Sequence, residues 1–192
     1  MPTHHETAAW TRRAGGTTLV SLLTVMAILA VLVTAGIPSF RSLINQHAVW
    51  VVQHDLTTGI QLARQTAVST GNVAVICGTR TGASCEAQAW SDGWIIFRSP
   101  SGATDCNVQP DGRCHHGGVV DRIELFPGNR ARVLANRNIL RRIRFDALGA
   151  SRFSNGTFTV CDRDGIARRQ LVLSNVGRLR TTEPAPASDC GK

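Results

Sequence analysis

Two arginines near the carboxyl-terminal end of the chain flank a single leucine, in the sequence Gly177-Arg178-Leu179-Arg180. A guanidinium group carries five N–H donors in a planar fork that matches the oxygens of a phosphate or a carboxylate. If residues 176–180 form a strand, Arg178 and Arg180 leave one face about 6.6 Å apart, while Leu179 faces the core. Gly177 leaves room where a backbone turns sharply or approaches a ligand. The spacing predicts a surface that binds neighbouring anionic groups.

The positive charge of the chain is concentrated in its second half. The 192 residues include 21 basic residues, of which twenty are arginines, and 13 acidic ones. Residues 122–180 hold thirteen arginines and four acids, a net +9 (13 − 4), whereas residues 17–121 hold five arginines and six acids, a net −1 (5 − 6). Arg168 and Arg169 lie in the basic region and are predicted to extend its positive surface. Such a regional excess is typical of a polyanion-binding protein, and a solvated face is the alternative interpretation.

No group of residues indicates catalysis or a metal site. None of the six histidines stands near a serine or cysteine nucleophile in a recognisable signature. The adjacent pair His115-His116 has no partner cluster, and no phosphate-binding loop spacing occurs. We therefore expect a protein that is not an enzyme and that binds no cofactor.

The cysteines indicate an oxidising compartment. They are Cys77, Cys85, Cys106, Cys114, Cys161 and Cys190. None forms a C-x-x-C pair, so disulfides are favoured over zinc. The first four form two pairs with seven residues between the partners, each enclosing a short loop. The preferred pairing joins the cysteines within each loop and, by elimination, the last two, among fifteen possible connectivities.

A long apolar helix is predicted to precede a domain of short strands. Arg12 and Arg13 stand before the apolar residues 19–37, which as a helix would span about 28 Å, close to a bilayer core of about 30 Å. The segment predicts a membrane span with a cytoplasmic amino terminus; a cleaved signal peptide is the weaker alternative. An apolar stripe with helical spacing then continues through Val49, Val52, Leu56, Ile60, Ala63 and Ala67.

After Gly71 the pattern changes to short apolar or alternating runs that indicate a small all-β domain packed on this stripe. The runs are "NVAVICG", "GWIIFRS", "RIELF", "LRRIRFD", "GTFTVCD", "RRQLVLS" and "VGRLR". The Asp-Gly pairs in "SDGW" (91–94) and "DRDG" (162–165) predict hairpin turns.

The amino-terminal segment resembles the class III signal of type IV pilins and pseudopilins. The resemblance rests on "RRAGG" followed by "TTLVSLLTVMAILAVLVTAGIPSF". It implies a leader of residues 1–16, cut by a prepilin peptidase between Gly16 and Thr17, with methylation of the new amino terminus. Helix 17–70 and a periplasmic or extracellular β domain 71–192 would follow. Ser21 stands where the family usually has glutamate, which implies a subunit at a filament tip or one needed in few copies.

Four motifs in order resemble the GspH/FimT family of minor pilins and pseudopilins: "LARQTAV", "VAVICG", "WSDGWIIF" and "GRLR". The resemblance implies an α+β pilin fold held by disulfides. The FimT-like branch binds DNA through a carboxyl-terminal G-R-x-R motif in natural transformation, and residues 177–180 match that motif.

The implied partners are DNA, contacted on its backbone without sequence preference, other pilins, the prepilin peptidase and the inner membrane before assembly. The implied location is then the periplasm or surface of a Gram-negative bacterium. A structural minor pilin or a type II secretion pseudopilin that primes filament assembly is the alternative. The loop 101–121 has no counterpart in this resemblance.

Overall fold

The computed structural model describes residues 18–126, 128, 131–184 and 190, and the side chains of 35–42 are not described. The chain divides into two compact units, Met1–Arg41 and Ser42–Lys192. The predicted cleavage residues Gly16 and Thr17 lie outside the described residues.

Helix α1 runs from Leu19 to Thr70. Thr18 caps its amino terminus, because the Thr18 Oγ1 atom accepts a 3.3 Å hydrogen bond from the backbone N–H of Ser21. From Leu19 to Val33 the described side chains of the first unit are exposed and mostly apolar. Across the part of the chain that is described, no helix combines the length and the apolar character that a membrane crossing requires.

The second unit contains the remaining part of α1 and two four-stranded antiparallel sheets. The strands are β1 (Val73–Gly78), β2 (Gly93–Ser99), β3 (Val119–Leu125), β4 (Arg132–Ala135), β5 (Arg142–Phe145), β6 (Gly156–Cys161), β7 (Ala167–Leu173) and β8 (Leu179–Thr182). The first sheet has the order β3-β2-β1-β5 and the second the order β4-β6-β7-β8.

One hydrophobic core joins the helix to both sheets. Leu56, Ile60 and Ala63 on α1 are fully buried together with residues of the two sheets, such as Ile76 and Phe158. The helical stripe is therefore where its spacing predicted it. Burial of a leucine or isoleucine side chain of this kind stabilises a fold by roughly 1.5–3 kcal/mol. The α+β architecture predicted from the sequence is confirmed.

Three sequence predictions of local structure are wrong. Strand β4 lies in a segment that the prediction left without a strand, since only Val133 and Ala135 carry its short alternation. The "SDGW" turn leads into β2 and does not close a hairpin, because the β1–β2 connection also contains a disulfide loop. The last strand begins at Leu179 and not at residue 176, since the preceding residues form a turn. The "DRDG" turn does connect β6 and β7.

The disulfides join Cys77 to Cys85, Cys106 to Cys114 and Cys161 to Cys190, the pairing that the cysteine spacing favours. The two short disulfide loops contact each other, because the N–H of Cys85 donates to the carbonyl of Cys106 at 3.2 Å. Together with the outer face of β1 and β2 they form a second buried cluster. Within the range 101–121, which has no counterpart in the family resemblance, residues 119–121 belong to β3 and the disulfide loop before them covers one face of the first sheet.

Candidate nucleic-acid interface

A tight turn connects β7 to β8 and presents the two arginines. Its three residues, 175–177, lie between Ser174 and Arg178, and the N–H of Ser174 donates to the carbonyl of Arg178 at 3.0 Å. The N–H of Gly177 donates to the carbonyl of Ser174 at 2.9 Å, and Gly177 has φ +76°. A three-residue hairpin loop of this kind needs its last residue in the left-handed region, which glycine adopts without strain.

The backbone of Arg178 is held in place by one side chain. The Ser174 Oγ atom accepts a 3.2 Å hydrogen bond from the N–H of Arg178 and donates to the carbonyl of Arg178 at 3.2 Å. Leu179 is half-buried and packs on the core. Arg178 and Arg180 are exposed, and Arg180 lies opposite Val172 on the face of the second sheet away from α1. Two cationic side chains thus extend from a main chain that is fixed by hydrogen bonds.

The guanidinium groups of Arg178 and Arg180 form no hydrogen bond or ion pair with any residue that the structure describes. Several other arginines whose side chains the structure describes have an acidic partner, among them Arg80, Arg98, Arg122, Arg141, Arg142, Arg152, Arg168 and Arg169. The charges of Arg178 and Arg180 are therefore available to a ligand from outside the described chain.

Arg168 and Arg169 differ from this pair. The Arg168 Nε atom lies 2.7 Å from the Asp162 Oδ2 atom, and the Asp162 side chain is fully buried. The same carboxylate accepts hydrogen bonds from the backbone of the turn between β6 and β7. Removing Arg168 would leave a buried charge without its cation. Arg169 lies 3.5 Å from the exposed Glu183, a contact that solvent weakens. The sequence predicts that both side chains extend the positive surface, and in the structure each of them has an acidic partner.

Arg64 on α1 is a residue of this region that the sequence analysis missed. Its Nε atom donates a 2.8 Å hydrogen bond to the carbonyl oxygen of Gly149, in the turn that follows β5. A Cβ atom placed on Gly177 would contact that carbonyl oxygen and would lie 3.0 Å from Arg64 Nε. The signal available in the sequence was that Arg64 is the one charged residue between Asp55 and Arg80.

Within the described ranges, no three histidine, cysteine or acidic side chains are grouped as a metal site requires. The chemistry that this region supports is the binding of anions by guanidinium groups.

An amino-terminal helix packed against antiparallel sheets defines a protein of the type IV pilin-like class. The chain belongs to the GspH family, because the family model described as type II transport protein GspH matches residues 53–177, about two thirds of its length. The resemblance derived from the sequence is therefore confirmed at the level of the family. The matched range ends at Gly177, so Arg178 and Arg180 lie just beyond it.

The chain is also similar to the crystal structure of the type IV minor pilin FimU of Pseudomonas aeruginosa strain PAO1 in space group P21. The TM-score is 0.51 at 21% sequence identity, over 79% of this chain and 98% of that one. A crystal structure of the same pilin in space group P65 gives a TM-score of 0.47 at 22% identity, over 76% of this chain and 99% of that one. The likeness concerns the fold. The search of curated proteins found no match.

Proposed function

We propose that this protein is a minor type IV pilin that binds DNA through Arg178 and Arg180 and supports DNA uptake in natural transformation. The observation that carries the proposal is the pair of exposed guanidinium groups without described partners, on a hairpin turn held by Ser174 and by hydrogen bonds from Ser151. A fixed turn loses little conformational freedom when its side chains bind phosphate, so more of the electrostatic attraction contributes to affinity.

The groups that meet in an arginine–phosphate contact determine whether binding depends on base sequence. Guanidinium groups that bind phosphates carry no sequence information, and each phosphate neutralised releases counterions. Binding is therefore independent of base sequence and weakens steeply as the salt concentration rises. The net +9 of residues 122–180 supports this by attracting a polyanion before contact is made.

The alternative is a structural minor pilin or a type II secretion pseudopilin, in which the two arginines only face solvent. The description of the matching family as a type II transport protein favours this candidate. It differs from the first in one measurable property, since it requires no affinity for DNA.

The proposal also includes the maturation of the chain. A prepilin peptidase cuts the chain between Gly16 and Thr17 and so removes residues 1–16. Residues 19–37 then hold the protein in the inner membrane until it joins other pilins in a filament in the cell envelope. Gly16→Glu is expected to block the cut and to leave a protein heavier by the leader, as mass spectrometry would measure. Normal processing of that variant would contradict this part of the proposal.

The test of DNA binding is a fluorescence anisotropy titration of the full chain, in non-ionic detergent, with two duplexes of unrelated sequence. Both duplexes are expected to bind equally, and Arg178→Gln with Arg180→Gln is expected to abolish binding. Arg113→Gln with Arg137→Gln is the matched control, because these exposed side chains also have no described partner and the change in net charge is the same. Equal affinities for the two double variants and the wild type would contradict DNA binding through Arg178 and Arg180, and absence of binding by the wild type would support the structural alternative.

A further inference from the structure

Three large apolar side chains are strongly exposed on two adjoining turns beside Arg178. Leu148 is 77% exposed and Phe153 82% in the segment after β5, and Val176 is 66% exposed in the turn between β7 and β8. We call these three side chains the apolar corner. Where such side chains adjoin one another, they form the kind of apolar patch that is typical of a site that contacts another molecule.

Hydrogen bonds hold the two turns together. The N–H of Ser151 donates to the carbonyl of Asn175 at 2.9 Å, and the Ser151 hydroxyl donates to the carbonyl of Ser174 at 2.8 Å. The apolar corner is therefore carried by the same braced structure that fixes the backbone of Arg178. Its side chains are exposed although their main chain is fixed.

The surroundings of the apolar corner are cationic. Arg152 precedes Phe153, and Arg178 lies two residues after Val176. The one acidic residue in the sequence of the two turns is Asp146, whose carboxylate lies 3.3 Å from Arg152 and accepts hydrogen bonds from the backbone of its own turn. A partner that offers apolar surface and negative charge together would therefore fit this site. A second copy of this chain, with its net charge of +8, would bring like charge to this site.

We propose that the apolar corner binds the unpaired bases of single-stranded DNA, with the Phe153 ring stacked on a base and with Arg178 and Arg180 on the adjoining phosphates. Aromatic rings beside a positively charged surface are the means by which proteins bind single strands without sequence preference, because every base has a flat π face. In a duplex the bases are already stacked and paired, so their faces are not accessible to Phe153. The inference rests on the proposed function and adds a preference for single-stranded segments and frayed ends.

The test compares three DNA probes on the full chain: a labelled strand of about 20 nucleotides, its duplex, and an abasic strand with the same number of phosphates. The wild type is expected to bind the single strand more tightly than the abasic strand. Phe153→Ala is expected to weaken binding of the single strand by about 5- to 150-fold, the range that stacking on one base represents. It should leave the affinities for the duplex and the abasic strand unchanged. Phe153→Trp should restore binding, and Ile166→Ala, another exposed apolar position, is the control.

The outcomes separate this inference from the proposed function. Equal affinity of the wild type for the single strand and the abasic strand, with no effect of Phe153→Ala, would overturn the inference and leave DNA binding through the arginines intact. Absence of binding to all three probes would overturn both. Unchanged DNA affinities together with a loss of Phe153→Ala from assembled pili would assign the apolar corner to a neighbouring pilin and would likewise overturn the inference.

Discussion

The Arg64 Nε atom donates a 2.8 Å hydrogen bond to the carbonyl oxygen of Gly149, and these two residues are 85 positions apart in the chain. The same carbonyl oxygen is the atom that a side chain on Gly177 would contact first. Helix α1, the turn after β5 and the turn before Arg178 therefore meet at one hydrogen bond.

Loss of that hydrogen bond is expected to weaken this junction. In Arg64→Ala the partly buried Gly149 carbonyl loses a charged donor, which predicts a decrease of about 1.5–3 kcal/mol in the free energy of unfolding. Denaturant titration followed by circular dichroism would measure the decrease. Arg137→Ala, at an exposed site without a described partner, should change it by less than about 0.5 kcal/mol. Similar decreases in the free energy of unfolding for the two substitutions would show that the hydrogen bond between Arg64 and Gly149 does not stabilise the fold measurably.

Gly177 is predicted to stabilise the fold in addition to forming part of the G-R-x-R motif. Gly177→Ala puts a methyl group at φ +76° and against the Gly149 carbonyl. The conformation alone costs about 1 kcal/mol, and the contact should raise the loss of unfolding free energy to roughly 2–3 kcal/mol. Gly112→Ala is the control, because Gly112 has φ +75° but no atom within 4 Å of the new Cβ. Equal losses of unfolding free energy at the two positions would show that the contact between the new methyl group and the Gly149 carbonyl is relieved at no cost.

The disulfide between Cys161 and Cys190 is expected to hold Cys190 to strand β6 of the second sheet. It closes a loop with a sequence separation of 29 residues, so its loss in Cys190→Ser should lower the free energy of unfolding by about 2–5 kcal/mol. Alkylation and mass spectrometry of the oxidised variant should find one reactive thiol, at Cys161. A peptide map that links Cys190 of the wild type to another cysteine would contradict the pairing.

Ionised Glu86 is predicted to stabilise the fold, so that the free energy of unfolding decreases at acid pH. The backbone N–H of Arg80 donates to its carboxylate at 3.2 Å, and this bond, together with the Arg80 guanidinium at 2.6 Å, lowers the pKa of Glu86 below its ordinary value of 4.5. A lowered folded-state pKa gives stability that is present above the unfolded-state pKa and is lost as the pH falls through the folded-state value. The wild type should therefore exceed Glu86→Gln in unfolding free energy near neutral pH, and the difference should shrink below pH 4.5. A difference that stays constant with pH would contradict this assignment.

The sequence predicts the parts of this fold that depend on local periodicity. The stripe from Val49 to Ala67 and seven of the eight strands could be predicted because burial repeats along one element. Strand β4 was not, since only two buried residues mark it. Leu179 as a core anchor follows from alternation, whereas the turn at Gly177 depends on hydrogen bonds to Ser174.

The candidate interface was predictable as a motif but not as a three-dimensional site. The ion pair of Arg168 with Asp162 and the contact of Arg64 with Gly149 both depend on tertiary packing, which periodicity does not encode. Local periodicity therefore does not show that Arg168 and Arg169 have acidic partners or that Arg64 contacts this region, and the role of Arg168 and Arg169 in binding an anion stays a prediction. The exposure of Phe153 next to the same turns is also a property of packing.

The salt dependence of duplex binding tests most directly whether Arg178 and Arg180 contact phosphates. Binding constants of the full chain would be measured between about 50 and 200 mM salt for the wild type, each single Gln variant, the Arg178→Gln/Arg180→Gln pair and the Arg113→Gln/Arg137→Gln pair. Removing one arginine that binds a phosphate should reduce the slope of log Kobs against log salt by about 0.9, so this is the reduction expected of each single variant. The Arg178→Gln/Arg180→Gln pair should reduce the slope by about 1.8 or bind too weakly to measure, while the control pair keeps the wild-type slope. A wild-type slope in the Arg178→Gln/Arg180→Gln protein, or the same reduction in the control pair, would contradict DNA binding by these two arginines.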